Sequence, residues 1–258
     1  MAATRDTKIV RGVEVRNDPA RESCFTLVHL HHDVPDTGAV TLEARQQRAH
    51  RDYNQEVQTL EIAALCLADY PNAPWELRME LARQCWDEAR HAELFLRRLK
   101  DLGGWKGMYP IANLDWSVVA MLDSLEARLA VQHRTFEAGS IDIEQIAVPM
   151  LREMGYDQAA EVTDAIEADE IQHVRFANEY LKRVTDAQPR VVLQIASAMA
   201  WLKKVVAATE LDPLKDIPTS DHMRDMAGFS SAEISEVTRM ERETLEPLMG
   251  PRGGSRDE

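Results

Sequence analysis

Cysteine is scarce in this chain: three occur in 258 residues, Cys24, Cys66 and Cys85, and no two are spaced C-x-x-C. That excludes a disulfide scaffold and a thiolate metal site, and it fits a reducing, cytoplasmic location. Cys66 and Cys85 fall in apolar helical stretches and read as small core residues. No uninterrupted run of 18 apolar residues occurs, so no membrane-spanning helix is expected. The opening stretch, MAATRDTKIVRGVEV, scatters charge throughout and contains no apolar export signal. Positive charge is also short, with 30 Lys and Arg against 44 Asp and Glu, a formal balance of −14. Such a surface repels phosphate backbones, which disfavours nucleic acid as a partner. The basic clusters RRLK at 97–100 and WLKK at 201–204 read as solvated helix ends. Strand signals are essentially absent beyond residue 41.

What is present is helical periodicity. Residues 1–40 have no lasting period and read as a loop-rich arm, with short strands expected around KIVRGVEV and CFTLVHL. From Thr41, a capping residue with Glu43 in the first turn, a long helix is predicted to about 70. A second runs from Pro74 to about 102, before Gly103-Gly104. A third is expected from about 115, with Asp115 as N-cap, to Gly139, then a shorter piece at 142–154 containing Pro149. A fourth long helix follows at about 157–186. Two more are predicted at about 190–210 and 231–246, the last behind a capping box of Ser230 and Glu233. The fold class is therefore all-α: an arm at 1–40, a four-helix core at 41–188, and C-terminal helices at 189–258 packing on that core.

Two of those helices carry the same string. D-E-x-x-H stands at Asp87-Glu88-x-x-His91 and again at Asp169-Glu170-x-x-His173. Each is followed eight residues after the histidine by Leu-Lys, at Leu99-Lys100 and Leu181-Lys182. The preceding helices echo one another too, in TLEIAAL around Glu61 and SLEARLA around Glu126. A shuffle of this composition would produce roughly 0.06 copies of the string, so surface decoration is a poor account of two.

Residues three apart on a helix share a face, so each Glu-x-x-His pair can reach one ion. One further Glu from each of the other two helices completes a dimetal-carboxylate set: Glu61, Glu88, His91, Glu126, Glu170 and His173. Hard oxygen donors with one imidazole per ion suit two Fe ions, with Mn or a mixed Mn/Fe pair as alternatives. Asp87 and Asp169, one residue ahead of the ligand glutamates, are placed to orient a metal-bound imidazole on the facing helix. A crossed pairing is expected, Asp87 with His173 and Asp169 with His91.

Neighbouring positions are less decided. His133 lies seven residues past Glu126, so it either holds substrate or is a satisfied core histidine. Tyr180 stands in the same relation to His173 and either lines a pocket or packs. Phe95 and Ala177 sit one turn past each histidine, which would open a pocket on the Ala177 side. Glu56 and Glu137 read as solvated, or as hydrogen-bonding neighbours of the ligands.

The stretch 53–186 resembles the ferritin-like superfamily, which includes bacterioferritin, rubrerythrin, the ribonucleotide reductase small subunit and diiron hydroxylases. More narrowly, EVQTLEIAALCLADYPNAP, DEARHAELFLRRLKDLGG, DEIQHVRFANEYLK and AGFSSAE look like a bacterial ferritin-like family of unknown function, related in style to tRNA-modifying diiron hydroxylases. One departure is Gln55-Glu56, where that pattern would have a histidine.

The resemblance implies a ferritin-like four-helix bundle with two additional C-terminal helices. The leading functional expectation is an O2-dependent non-heme diiron oxygenase or oxidase that hydroxylates, N-oxygenates, desaturates or cleaves a small organic substrate. It would take electrons from a donor and work as a monomer or homodimer away from membranes. A ferroxidase or iron store, a tRNA-modifying hydroxylase and a metal-free structural bundle are the competing readings.

Overall fold

The computed structural model describes residues 6–30, 41–209 and 217–245, with side chains described to residue 238. Those parts of the arm and tail at 1–5, 31–40, 210–216 and 246–258 lie outside the described residues.

Four long helical stretches set the architecture. Helix α1 (Leu42–Asp69) starts where Thr41 accepts the Ala44 N–H at 3.0 Å, so one orphan donor of the first turn is satisfied. It ends at Tyr70, ahead of Pro71, where the α conformation is disfavoured. Helix α2 (Trp75–Asp101) closes with Gly103 at φ 77°, which lets the Gly104 N–H reach the Leu99 carbonyl at 2.9 Å.

The third stretch differs from the helix expected at 115–139. A short helix α3 (Leu114–Val119) comes first, and the chain restarts at Ser124, whose hydroxyl accepts the Ala127 N–H at 3.2 Å. From there α4 (Leu125–Val131), a π-helical segment (Gln132–Glu137) and α5 (Ala138–Glu153) run without a break. Gly139 does not end the helix; it is buried inside it, and Pro149 is also carried within α5. Helix α6 (Asp157–Ala187) is the fourth long stretch.

Helix α1 packs along α2, α5 packs along α6, and α2 meets α6 across the middle. Near one end, Ala63 and Cys66 of α1, Leu77 and Leu81 of α2, Leu125 and Leu129 of α4, and Phe176 and Leu181 of α6 form an apolar cluster. Helix α7 (Val191–Thr209) lies on α4, and α8 (Asp221–Met226) lies on α5 and α6. Helix α9 (Ser231–Leu245) begins with the expected capping box: Ser230 N–H donates to Glu233 Oε2 at 2.8 Å and Glu233 N–H to Ser230 Oγ at 3.3 Å.

By length and composition α7 is apolar enough to cross a membrane, although the sequence breaks it with Lys203 and Lys204. In this fold Ala198, Leu202 and Val205 of α7 pack against the arm and against α1, α3 and α4.

The described residues of the arm, 6–30, are folded. Strands β1 (Thr7–Val10) and β2 (Val13–Arg16) form an antiparallel hairpin in KIVRGVEV. Strand β3 (Leu27–Val28) runs parallel to β4 (Ile111–Ala112). Val10, Val13 and Val15 join the α7 cluster, and the Trp116 indole N–H donates to the Asn17 carbonyl at 3.0 Å.

Leu129 has no exposed surface, whereas Leu193 is 69% exposed. Leu129→Ala is expected to cost about 2–5 kcal/mol in denaturant unfolding, while Leu193→Ala stays within about 0.5 kcal/mol. Equal effects would contradict this packing.

Candidate metal centre

Between the apolar clusters lies a polar layer with almost no exposed surface. Glu88 and His91 project inward from α2, and Glu170 and His173 from α6. Each pair sits on its helix at the three-residue spacing that puts both side chains on one face. The other two carboxylates are Glu56 of α1 and Glu137 at the end of the π-helical segment.

The six residues fall into two overlapping groups that could each hold a metal ion. Donor atoms of Glu56, Glu88, His91 and Glu170 all lie within 4.8 Å of one another, and so do those of Glu88, Glu137, Glu170 and His173. Glu88 and Glu170 belong to both groups, as bridging carboxylates would; Glu56 and Glu137 each belong to one.

Each histidine is turned by an aspartate from the opposite helix. His91 Nε2 meets Asp169 Oδ2 at 3.2 Å, and His173 Nε2 meets Asp87 Oδ2 at 3.3 Å. This is the crossed arrangement. Arg90 ties the two aspartates together, with Nη2 at 2.9 Å from Asp87 and 2.7 Å from Asp169. Burial works to raise the Asp87 pKa, but hydrogen bonds from His173 and Arg90 outweigh it and hold the carboxyl down at about 2. An ionised acceptor on Nε2 leaves the Nδ1 lone pair facing the glutamates. His91 Nδ1 is 3.2 Å from Glu88 Oε2, and His173 Nδ1 is 3.4 Å from Glu88 Oε1.

The donor set fits a metal on another count. Buried polar atoms are normally paired, yet Glu137 Oε2 and His173 Nδ1 are buried without a hydrogen-bond partner. A cation between them would supply what both lack.

Two residues that the sequence pointed to are elsewhere. Glu61 lies five residues beyond Glu56, which turns it about 140° around α1 at 100° per residue. It faces the arm and takes a two-pronged ion pair from Arg21, at 2.7 and 2.8 Å. Glu126 stands in the first turn of α4, about 16 Å along the axis from Glu137, and accepts the Tyr180 hydroxyl at 3.0 Å. The cluster thus contains Glu56 and Glu137 in place of Glu61 and Glu126, and neither is a solvated bystander.

Gln84, Gln132 and Arg90 complete the centre and were not singled out in the sequence. Gln84 Nε2 donates to Glu88 Oε1 at 3.1 Å and to Glu137 Oε1 at 2.8 Å, while its oxygen faces His133 Nε2 at 2.9 Å. Burial, then the charge of His173, pushes His133 down to about 3, so it is a neutral donor holding Gln84 in place. It is not among the residues that line the cavity beside the cluster. Gln132 Nε2 reaches Glu137 Oε1 at 3.3 Å. The available signal was spacing: Gln84 precedes Glu88, and Arg90 follows Asp87, by about one turn.

A cavity of about 190 Å³ opens onto one side of the cluster, touching Glu56, Glu137 and Glu170 and lined also by Phe95, Phe136 and Thr59. It lies on the Phe95 side. Ala177, where a pocket was expected, is closed in by Leu125, Leu129 and Leu181, and Tyr180 packs in the same cluster.

An all-α scaffold around a buried carboxylate and imidazole cluster that could hold metal defines the class of this protein. By family, the chain belongs to the one described as "Protein of unknown function (DUF455)", which it matches over residues 2–235. No curated protein and no solved structure matches it.

Glu56→Ala and Glu137→Ala are each expected to lose bound metal, measured by elemental analysis, while Glu61→Ala and Glu126→Ala retain it. The reverse pattern would sink the assignment of the cluster.

Proton competition makes the binding pH-dependent. Burial, followed by the Glu170 charge, pushes Glu137 up to about 8. Burial opposes the His91 charge, but Glu56 and Glu170 prevail and raise that residue to about 9. Both groups therefore carry protons in the metal-free protein at neutral pH, and an ion must displace them. Apparent metal affinity should rise between pH 6 and pH 9, with proton release on mixing in weak buffer. A flat profile would show that these groups do not bind the ion.

Proposed function

We propose that this chain is a ferritin-like dimetal-carboxylate oxidoreductase that uses O2 to oxidise a small organic substrate. The observation that carries the reading is the pair of overlapping ligand groups sharing Glu88 and Glu170, with a histidine in each held by an aspartate from the opposite helix. Oxygen-rich donors with one imidazole per site suit iron first and manganese second. When bound, two such ions supply the redox chemistry that dioxygen and substrate require.

The chain's own residues do the rest. Asp87 and Asp169 fix both imidazoles in the tautomer that binds through Nδ1. Gln84 holds one oxygen each of Glu88 and Glu137, so these carboxylates are aligned before an ion arrives. Apolar walls from Phe95 and Phe136 limit water at the open side, and the cavity gives a substrate access to Glu56, Glu137 and Glu170.

Asp115 and Glu144 also line that cavity, and acidic walls suit the passage of a cation. They favour a second reading, a ferroxidase or iron store. The net charge argues against tRNA as substrate.

Oxygen uptake and iron content separate the two. Protein loaded anaerobically with two Fe(II) per chain should consume O2 once, and further turnover should need a reductant and a substrate. Iron should stay near two per chain, with light scattering reporting a monomer or dimer. Continued uptake of Fe(II) into a large mineral-filled cage would overturn the oxidase reading in favour of storage.

A further inference from the structure

The cavity beside the cluster has two chemically different ends. Its inner end is acidic, formed by Glu56, Glu137 and Glu170. The outer end carries Arg48 and Arg98, one exposed and the other half-buried. On α1 the residues facing the cavity are Arg48, Arg51, Asp52, Gln55, Glu56 and Thr59, one continuous helical stripe. Arg48 stands eight residues before Glu56 and Arg98 seven after His91, so both guanidinium groups lie roughly 10–12 Å along their helices from the cluster.

Those two arginines are unusual among the basic residues near the cavity. Arg51 is satisfied by Asp52 at 2.8 Å. Arg45 lies over the Tyr156 ring. Neither Arg48 nor Arg98 has an ion pair or a side-chain hydrogen bond among the described residues. Burial pushes the Arg98 pKa down; the attraction of Asp52 opposes it, and the smaller repulsions from Arg48 and Arg45 add to it. Three guanidinium groups, Arg48, Arg51 and Arg98, against the one carboxylate of Asp52 leave this end of the cavity positive in a chain of net charge −14, and a local positive field of that kind attracts a small anion.

We infer that this cavity binds a small organic anion, with its carboxylate or phosphate on Arg48 and Arg98 and its apolar body reaching the acidic cluster. Planar guanidinium groups suit either head group through paired N–H donors. The body would lie against Phe95, Phe136 and Ile143. Repulsion between the anionic head and the glutamates at the inner end fixes the direction, which presents the uncharged end of the molecule to Glu56 and Glu137. The volume sets the size: about 190 Å³ is somewhat more than the ~150 Å³ of a cavity that holds benzene. A single ring with a short acidic side chain fits, and a long acyl chain does not. This assignment of substrate class rests on the oxidase reading only for what happens after binding.

The test is calorimetric titration at neutral pH with a charge series of one shape: 3-phenylpropionate, its neutral amide, and 3-phenylpropylamine. Phenethyl phosphate is the additional arm that distinguishes a phosphate site from a carboxylate site. Both metal-free and metal-loaded protein are titrated. The anions are expected to bind at least roughly ten-fold tighter than the amide, and the amine weakest. Arg48→Gln and Arg98→Gln should each erase most of that preference. Arg97→Gln, whose side chain points outward to Glu93 at 2.9 Å, should leave it intact. Equal binding across the charge series, no binding of any probe at millimolar concentration, or a preference that survives loss of both arginines would overturn the inference. The two proposals fail separately. Anion preference without O2 uptake would sink the oxidase alone, and O2 uptake without anion preference would sink this inference alone.

Discussion

Four carboxylates meet two imidazoles in a volume where every donor of each group lies within 4.8 Å of the others. In water such charges repel weakly, but inside a protein the same separation costs several times more because the dielectric is lower. Burial together with the mutual charges of Glu56, Glu88 and Glu170 drives Glu88 well above the ordinary carboxylate range. The chain therefore needs positive charge at this place, from protons or from metal. The surrounding structure both creates that requirement and holds it in position. The apolar clusters on either side keep water out, and the helices supply no neutralising Lys or Arg among the six donors.

Where positive charge does appear, it stands one layer out. Arg90 lies between Asp87 and Asp169, which keeps both ionised, and each aspartate in turn orients a histidine. The arrangement is a relay from surface to interior: guanidinium, carboxylate, imidazole, then the shared glutamates. On the other axis His133 and Gln84 do the same work with neutral groups, spanning to Glu88 and Glu137. Both supports come from α2 and its neighbours, so the close packing of α2 on α6 is what makes the site a unit.

The open side has a different character. Glu56 is 14% exposed, whereas Glu88 and His91 are sealed. One face of the cluster is thus reached through a cavity with aromatic walls and an arginine rim, and the opposite face is closed by Ala177 and Phe176 in the apolar cluster. That asymmetry is absent from the repeated sequence string, which treats both halves alike.

Local spacing was enough to determine much of this protein. The helical periods, the Thr41 and Ser230 caps, and the two D-E-x-x-H strings depend on residues within a turn or two of one another, and those distances are the same in any helix. The positions of the aspartates on their helices likewise made a crossed pairing with the histidines legible. Which glutamates complete the cluster was not local. Glu61 and Glu126 sit in matching apolar contexts, TLEIAAL and SLEARLA, but the facing of α1 against α2 turns Glu56 inward and gives Glu61 to Arg21. On the third long stretch Glu137 stands eleven residues, about three turns, beyond Glu126, so an unbroken α-helix would carry both on one face and only the height along the axis would separate them. The π-helical segment at Gln132–Glu137 then shifts the phase as well. The choice between Phe95 and Ala177 for the cavity wall was likewise decided by what packs over each. A sequence records the spacing along one helix, but only the fold sets which helix face meets which, and by how many degrees.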